Sequence, residues 1–112
     1  MRIYTDHNGV AVNAISSLAD GTNVEGHEYQ ILSGPKATTI SFQLGGVADN
    51  GVNGLTNEAL MSVVLHRLKF LDAKFPCEEN KQAISRMEFA LAALESRTAG
   101  RIARGVEGQE VA

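Results

Sequence analysis

The sequence has no tryptophan, two tyrosines and four phenylalanines, so aromatic side chains make up only 5% of its 112 residues. Such side chains dominate the cores of monomeric domains, and their scarcity makes burial by self-association the attractive alternative. There is one cysteine, Cys77. An internal disulfide is therefore excluded, and with only three scattered histidines no zinc-ligand spacing can be assembled. Both points fit a reducing, intracellular compartment. Cations are also in short supply: ten Lys and Arg against thirteen Asp and Glu leave a formal net charge of -3. A protein that coats nucleic acid needs many cations to displace condensed counterions, so that class of function is set aside, whereas a small anionic ligand needs only a few. Long apolar runs are missing too. Met1-Arg2-Ile3-Tyr4-Thr5-Asp6-His7 lacks the apolar core of a signal peptide and no window approaches the length of a membrane span, so the cytoplasm is the expected location and no membrane partner is expected.

What is present is ordinary for a globular chain: 44% hydrophobic and 21% charged residues. The length suits one domain, with a β-rich part over about residues 1–50, a helical hairpin over 55–104 and a tail over 105–112. The hairpin organises the rest. At helical spacing it carries two apolar seams, Leu60, Val64, Leu68, Leu71 and then Ile84, Met87, Leu91, Leu94, separated by the breaker Lys74-Phe75-Pro76. Two antiparallel helices with facing seams follow. Thr56 is placed to cap the first helix, and Glu58 in its first turn complements the helix dipole. Pro76 suits the first position of the second helix, where its missing donor costs nothing, with Glu78 and Glu79 behind it. The second helix is expected to run to Arg104, with Gly105 as C-cap and an acidic, frayed segment from Val106 to Ala112. It would overhang its partner, so its last turns must be solvated or covered by another copy.

The N-terminal part is less legible. Val10-Ala11-Val12-Asn13-Ala14-Ile15 reads equally as strand or short helix. From His27 onward the pattern sharpens. Glu28-Tyr29-Gln30-Ile31-Leu32 favours strand, Ser33-Gly34-Pro35-Lys36 is turn chemistry, and Thr38-Thr39-Ile40-Ser41-Phe42-Gln43-Leu44 alternates polar and apolar residues, which together predict a β-hairpin. Ile40, Phe42 and Leu44 share one face of its second strand, the face expected to pack on the helical hairpin. An α+β fold is expected, with an N-terminal antiparallel sheet followed by the two-helix hairpin.

Few residues point to chemistry. Gly51-Val52-Asn53-Gly54 superficially matches nucleic-acid-clamping loops, but no basic residues surround it and a tight entry into a helix explains it better. Asp6 with His7 and Glu25 with His27 are ordinary loop neighbours. No serine or cysteine sits with a histidine and an orienting carboxylate at any recognisable spacing, so a binding protein rather than an enzyme is expected, with no cofactor. Arg97, Arg101 and Arg104 fall at i, i+4, i+7 and line one side of the last helical turns, a pattern that permits an anion site and equally serves the helix dipole. Phe70 and Phe89 lie off the main seams, where an aromatic face can either enter a core or stack on a base.

The run Gly51-Val52-Asn53-Gly54-Leu55-Thr56-Asn57-Glu58-Ala59-Leu60, then Phe70, Cys77 and Asn80, and finally Arg97-Thr98, Arg101 and Arg104-Gly105-Val106-Glu107-Gly108, resembles the phage Thoeris anti-defence sponge family. The resemblance covers roughly residues 27–108. Lys69 stands where that family often has glycine, and Phe75-Pro76-Cys77 replaces a Pro-Phe-Ala-Cys run. What the resemblance implies is a phage protein that sequesters an immune second messenger without cleaving it. The messenger would be a glycocyclic ADP-ribose made by a TIR-domain enzyme, and some members also hold cyclic trinucleotides of CBASS defence in an oligomer. By the same resemblance Phe70 would stack on a base, Asn80 would hydrogen-bond the ligand and Arg97 would meet the pyrophosphate. Arg101 and Arg104 complete the candidate ligand set by their spacing, and a homo-oligomer, dimer or hexamer, is expected. The competing expectation is a helical-hairpin module that docks another protein and takes no nucleotide.

Overall fold

The computed structural model describes residues 1–112 and divides them into two compact units, Met1–Leu55 and Thr56–Ala112. The first is a four-stranded antiparallel meander in the order β1-β2-β3-β4, formed by β1 (Arg2–Thr5), β2 (Ala11–Ser17), β3 (Asn23–Ser33) and β4 (Lys36–Ser41). Residues 1–26, ambiguous by pattern, are thus strands joined by turns. The tertiary partner decides it, since Ala11 to Ile15 pair directly with Leu32 to Glu28 and Ala11 is buried at 3% exposure.

Turn chemistry fixes the register. Ser33 pairs with Lys36, so Gly34-Pro35 is a two-residue loop; Gly34 has φ 60° and proline cannot follow into positive φ, which leaves the type II′ turn. At the β1–β2 turn the Asp6 carboxylate accepts the N–H groups of Asn8 (2.8 Å) and Val10 (3.0 Å). At the β2–β3 turn hydrogen bonds from Thr22, its side chain foremost, hold the Asp20 carboxyl below the ordinary carboxylate range.

β3 begins five residues before the predicted strand and β4 stops three residues before it. The early stop has a cause. Phe42 N–H still bonds His27 C=O at 2.7 Å, but Gln43 N–H turns to Leu55 C=O at 3.0 Å, so the chain leaves β3 for a parallel bridge to Leu55. Between them a loop carries α1 (Val47–Asn50), a single helical turn that sequence pattern does not announce.

The second unit is the expected antiparallel hairpin of α2 (Asn57–Lys74) and α3 (Glu78–Ala103). Thr56 caps α2 as expected, its side chain accepting Ala59 N–H at 3.1 Å. The start of α3 differs: Glu78, not Pro76, is the first helical residue and Cys77 is the N-cap, with Asp72 Oδ1 accepting the Cys77 N–H at 3.2 Å and holding the link closed around it. Two ion pairs set the register, Lys69–Glu88 at 3.4 Å and Lys81–Asp72 at 3.3 Å. Both are substantially exposed on at least one side, so each contributes roughly 1 kcal/mol or less.

The α2 seam is rotated from the predicted one. Leu65 is buried at 8% exposure whereas Val64 is 43% exposed, so Leu65 takes the central place assigned to Val64. On α3 the half-buried positions Asn80, Ile84, Met87, Leu91, Leu94 and Thr98 step by three and four and end at Arg101, which is 4% exposed. This differs from the frayed end expected, while α3, at 26 residues against 18 for α2, is the longer helix as expected. Gly105, with φ 73°, terminates α3 in a Schellman motif, Val106 N–H bonding Arg101 C=O and Gly105 N–H bonding Ile102 C=O, both at 3.0 Å. The chain then folds back onto Arg101.

Hydrophobic burial is sparse throughout: Ala11, Val24 and Leu65 are the buried apolar residues, while Val63 (64%), Phe75 (68%) and Phe89 (77%) stand exposed.

Candidate functional site

The candidate ligand residues gather at the two ends of the helical hairpin. Near the α2–α3 turn, Phe70 is 56% exposed, and Lys74, one helical turn on, lies with Nζ 5.7 Å from its ring centroid and 6.0 Å from that of Phe75. The sequence pattern treats Lys74 and Phe75 only as a helix breaker, yet the fold makes them a cation held between two aromatic faces. A cation at this distance is attracted by the ring quadrupole, and a base bearing a phosphate offers the same rings a stacking surface and the ammonium a counter-ion. Asn80 sits in the first turn of α3, half-buried at the start of its apolar stripe.

The arginines lie at the far end of the same helix and are in three different situations. Arg97 is exposed and takes no part in the ion pairs of the chain, which are Lys69–Glu88, Lys81–Asp72 and Arg101–Glu107. Arg104 donates through Nη2 to Ala112 C=O at 2.5 Å. Arg101 is engaged on every nitrogen: Nε donates to Glu107 Oε2 at 3.1 Å, Nη2 to the carbonyls of Val106 (2.9 Å) and Gln109 (2.6 Å), and Nη1 to that of Val111. The signal for this was available. Continuing the α3 seam beyond Leu94 by four and then three residues lands on Thr98 and Arg101, which marks Arg101 as the end of the apolar stripe.

Asn80 and Arg97 are separated along α3 by about 25 Å at ~1.5 Å per residue. A nucleotide, whose base and phosphate are joined through one sugar, cannot bridge that length.

The histidine pairs considered from sequence are held by local structure. His27 Nδ1 lies 2.7 Å from Gln43 C=O, and Asp6 is committed to its turn. No group of three or more His, Cys, Asp or Glu side chains converges on a common point.

The loop between β4 and α2 is closely braced. Gln43 donates to the carbonyls of Gly51 (2.7 Å) and Gly45 (3.2 Å), and a Cβ built on Gly54 would fall 2.5 Å from the Phe42 carbonyl carbon. Gly54 serves close backbone approach, and Gly51, at φ 68°, serves a turn. A clamp around an external phosphate chain is not what they form.

No family model matches the chain. It is 40% identical over 116 aligned residues to Thoeris anti-defense 1 of Bacillus phage SBSphiJ7, an alignment that takes in 96% of this chain and 81% of that protein. Similarity of that extent spans both the sheet and the helical hairpin, and the chain belongs to the Thoeris anti-defense 1 family.

Proposed function

We propose that the protein counters Thoeris defence as a sponge, binding a cyclic nucleotide second messenger of the glycocyclic ADP-ribose type and holding it unchanged. The observation that carries this is an exposed Phe70 with Lys74 over its ring and an unpaired Arg97, in a chain 40% identical to a phage Thoeris anti-defense protein. Phe70 stacks on a base, Asn80 hydrogen-bonds the ligand and Arg97 meets the pyrophosphate. The cyclic trinucleotides of CBASS belong to the same ligand class and form a second group to be tried. Arg104 stands beside Arg97 as a further phosphate contact.

Because about 25 Å of helix separates Asn80 from Arg97, the site is composite. Arg97 of one copy meets Phe70 and Asn80 of another, and self-association is part of the binding mechanism. Sparse apolar burial and exposed Val63 and Phe89 supply the surface for such an assembly. Nanomolar sequestration requires ~12 kcal/mol. Stacking at ~1 to 3 kcal/mol per base and partly desolvated Arg–phosphate contacts supply parts of that, whereas one exposed Arg does not.

The same exposed side chains favour a second reading, a helical module that docks another protein without nucleotide. One experiment separates sponge, module and enzyme. Glycocyclic ADP-ribose is titrated with protein until a TIR-pathway reporter falls silent, and the mixture is then heat-denatured and the supernatant assayed. A sponge protects stoichiometrically and returns active messenger on heating. An enzyme clears the signal at substoichiometric amounts and returns none, and a docking module leaves the signal untouched.

A further inference from the structure

We infer that Arg101 is a positioning residue: its guanidinium clamps residues 106–111 against the last turns of α3, with Glu107 as counter-ion, and so leaves Arg97 as the cation free to meet a ligand phosphate. The first half rests on geometry alone, and the second rests on the sponge reading above.

Arg101 closes the apolar stripe of α3, so its charged head is carried inward to 4% exposure where an unpaired cation would be costly. The returning chain supplies what burial demands. Four acceptors reach the guanidinium, three of them backbone carbonyls of Val106, Gln109 and Val111 and one the Glu107 carboxylate. The planar fork of arginine can serve all four at once, which a lysine ammonium cannot. The Schellman turn at Gly105 aims the chain back at the helix, and the Gln109 N–H to Val106 C=O bond at 3.1 Å keeps the fold-back compact. These six residues are thereby an element of the fold.

The consequence for binding is one of charge placement. Spacing alone presents three cations on one side of α3. The clamp withdraws one of them into an internal pair, and the Ala112 carbonyl takes up part of Arg104. A ligand phosphate that displaced the tail would break four bonds to a buried guanidinium to gain two or three. Arg97, one turn before Arg101 on the same side, has nothing to give up.

Hydrogen–deuterium exchange of the full chain, read by mass spectrometry at residues 106–111 and at α2 and α3, tests the clamp. Arg101→Ala should speed exchange at 106–111 by at least about tenfold while α2 and α3 stay protected, with Arg101→Lys giving partial rescue. Glu107→Ala, which leaves the carbonyl bonds in place, should speed it less. Unchanged exchange at 106–111 in a folded Arg101→Ala protein would overturn the clamp. Adding glycocyclic ADP-ribose to the wild type should leave the segment protected, and its deprotection would mean that the guanidinium passes to the ligand. In calorimetry over a salt series, the residual weak binding of Arg97→Ala should show a smaller salt dependence than the wild type, and Arg101→Ala should weaken binding with the salt dependence kept. The reverse assignment would overturn the second half. If the wild type binds no nucleotide, the sponge reading and the second half fall, and the exchange result by itself decides the clamp.

Discussion

Gln43 and Asn53 brace each other across the loop that leaves the sheet. Gln43 Oε1 accepts the Asn53 N–H at 2.9 Å, while the Asn53 amide takes both backbone groups of the residue after Gln43, accepting Leu44 N–H at 2.9 Å and donating to Leu44 C=O at 2.8 Å. Asn53→Ala removes two of these bonds at once. Urea denaturation should register a loss of about 1 to 2 kcal/mol, from ~1 kcal/mol per bond. An unchanged midpoint would show that water replaces the amide at no cost.

Two glycines invite the same substitution and should respond with opposite sign. At Gly54 a Cβ would meet the Phe42 carbonyl carbon and oxygen at 2.5 and 2.6 Å, both backbone atoms that cannot step aside. At Gly100, inside α3, a Cβ meets nothing within 4 Å. Gly54→Ala should therefore lower the melting temperature sharply. Gly100→Ala should raise stability by ~0.5 to 1 kcal/mol through helix propensity. Equal effects would mean that the loop relaxes where its bracing says it does not.

Arg97→Ala should abolish tight nucleotide binding with the melting curve unchanged, because an exposed helical arginine contributes only ~0.3 to 1 kcal/mol to the fold and solvation recovers part of that. Calorimetry with glycocyclic ADP-ribose checks it. Unchanged affinity in a folded variant would remove Arg97 from the site.

Phe70→Ala should cost about 1 to 3 kcal/mol of binding, the scale of one stacked base. With the ring 56% exposed the loss of stability should be small, well under the ~3 to 5 kcal/mol of a buried phenylalanine, and a melting curve separates the two effects. Lys74→Ala is the companion variant. It uncovers the rings and removes the cation, so a fall in affinity assigns the ammonium to the ligand, and a rise means that it competes with the base.

Light scattering at tens of micromolar should find a dimer or hexamer. A monomer there would sink the composite site, since one copy cannot bring Asn80 and Arg97 to the same nucleotide.

How much of this was legible depends on which residues speak for themselves. The helical hairpin follows from period and punctuation, and Thr56 caps where its side chain says it should. The shift from Val64 to Leu65 does not, because two adjacent apolar residues give a one-position ambiguity that only the facing helix resolves. Ala11 to Ile15 became strand through pairing with β3, a partner more than ten residues away that no local pattern names. At the candidate site the three arginines look alike in sequence. Their separation into a free, a half-engaged and a buried cation arises from the returning chain at Val106 to Val111, whose acceptors are mostly carbonyls and so have no residue signature.

The strand order β1-β2-β3-β4 and the helix pair that follows share one property: every partner is the next element along the chain. No long loop must close before a contact forms, so the entropy of ordering is met in small instalments and the low contact order predicts fast folding. Each strand can dock as soon as it follows its predecessor from the ribosome, and the meander can stand before the first helix has been made.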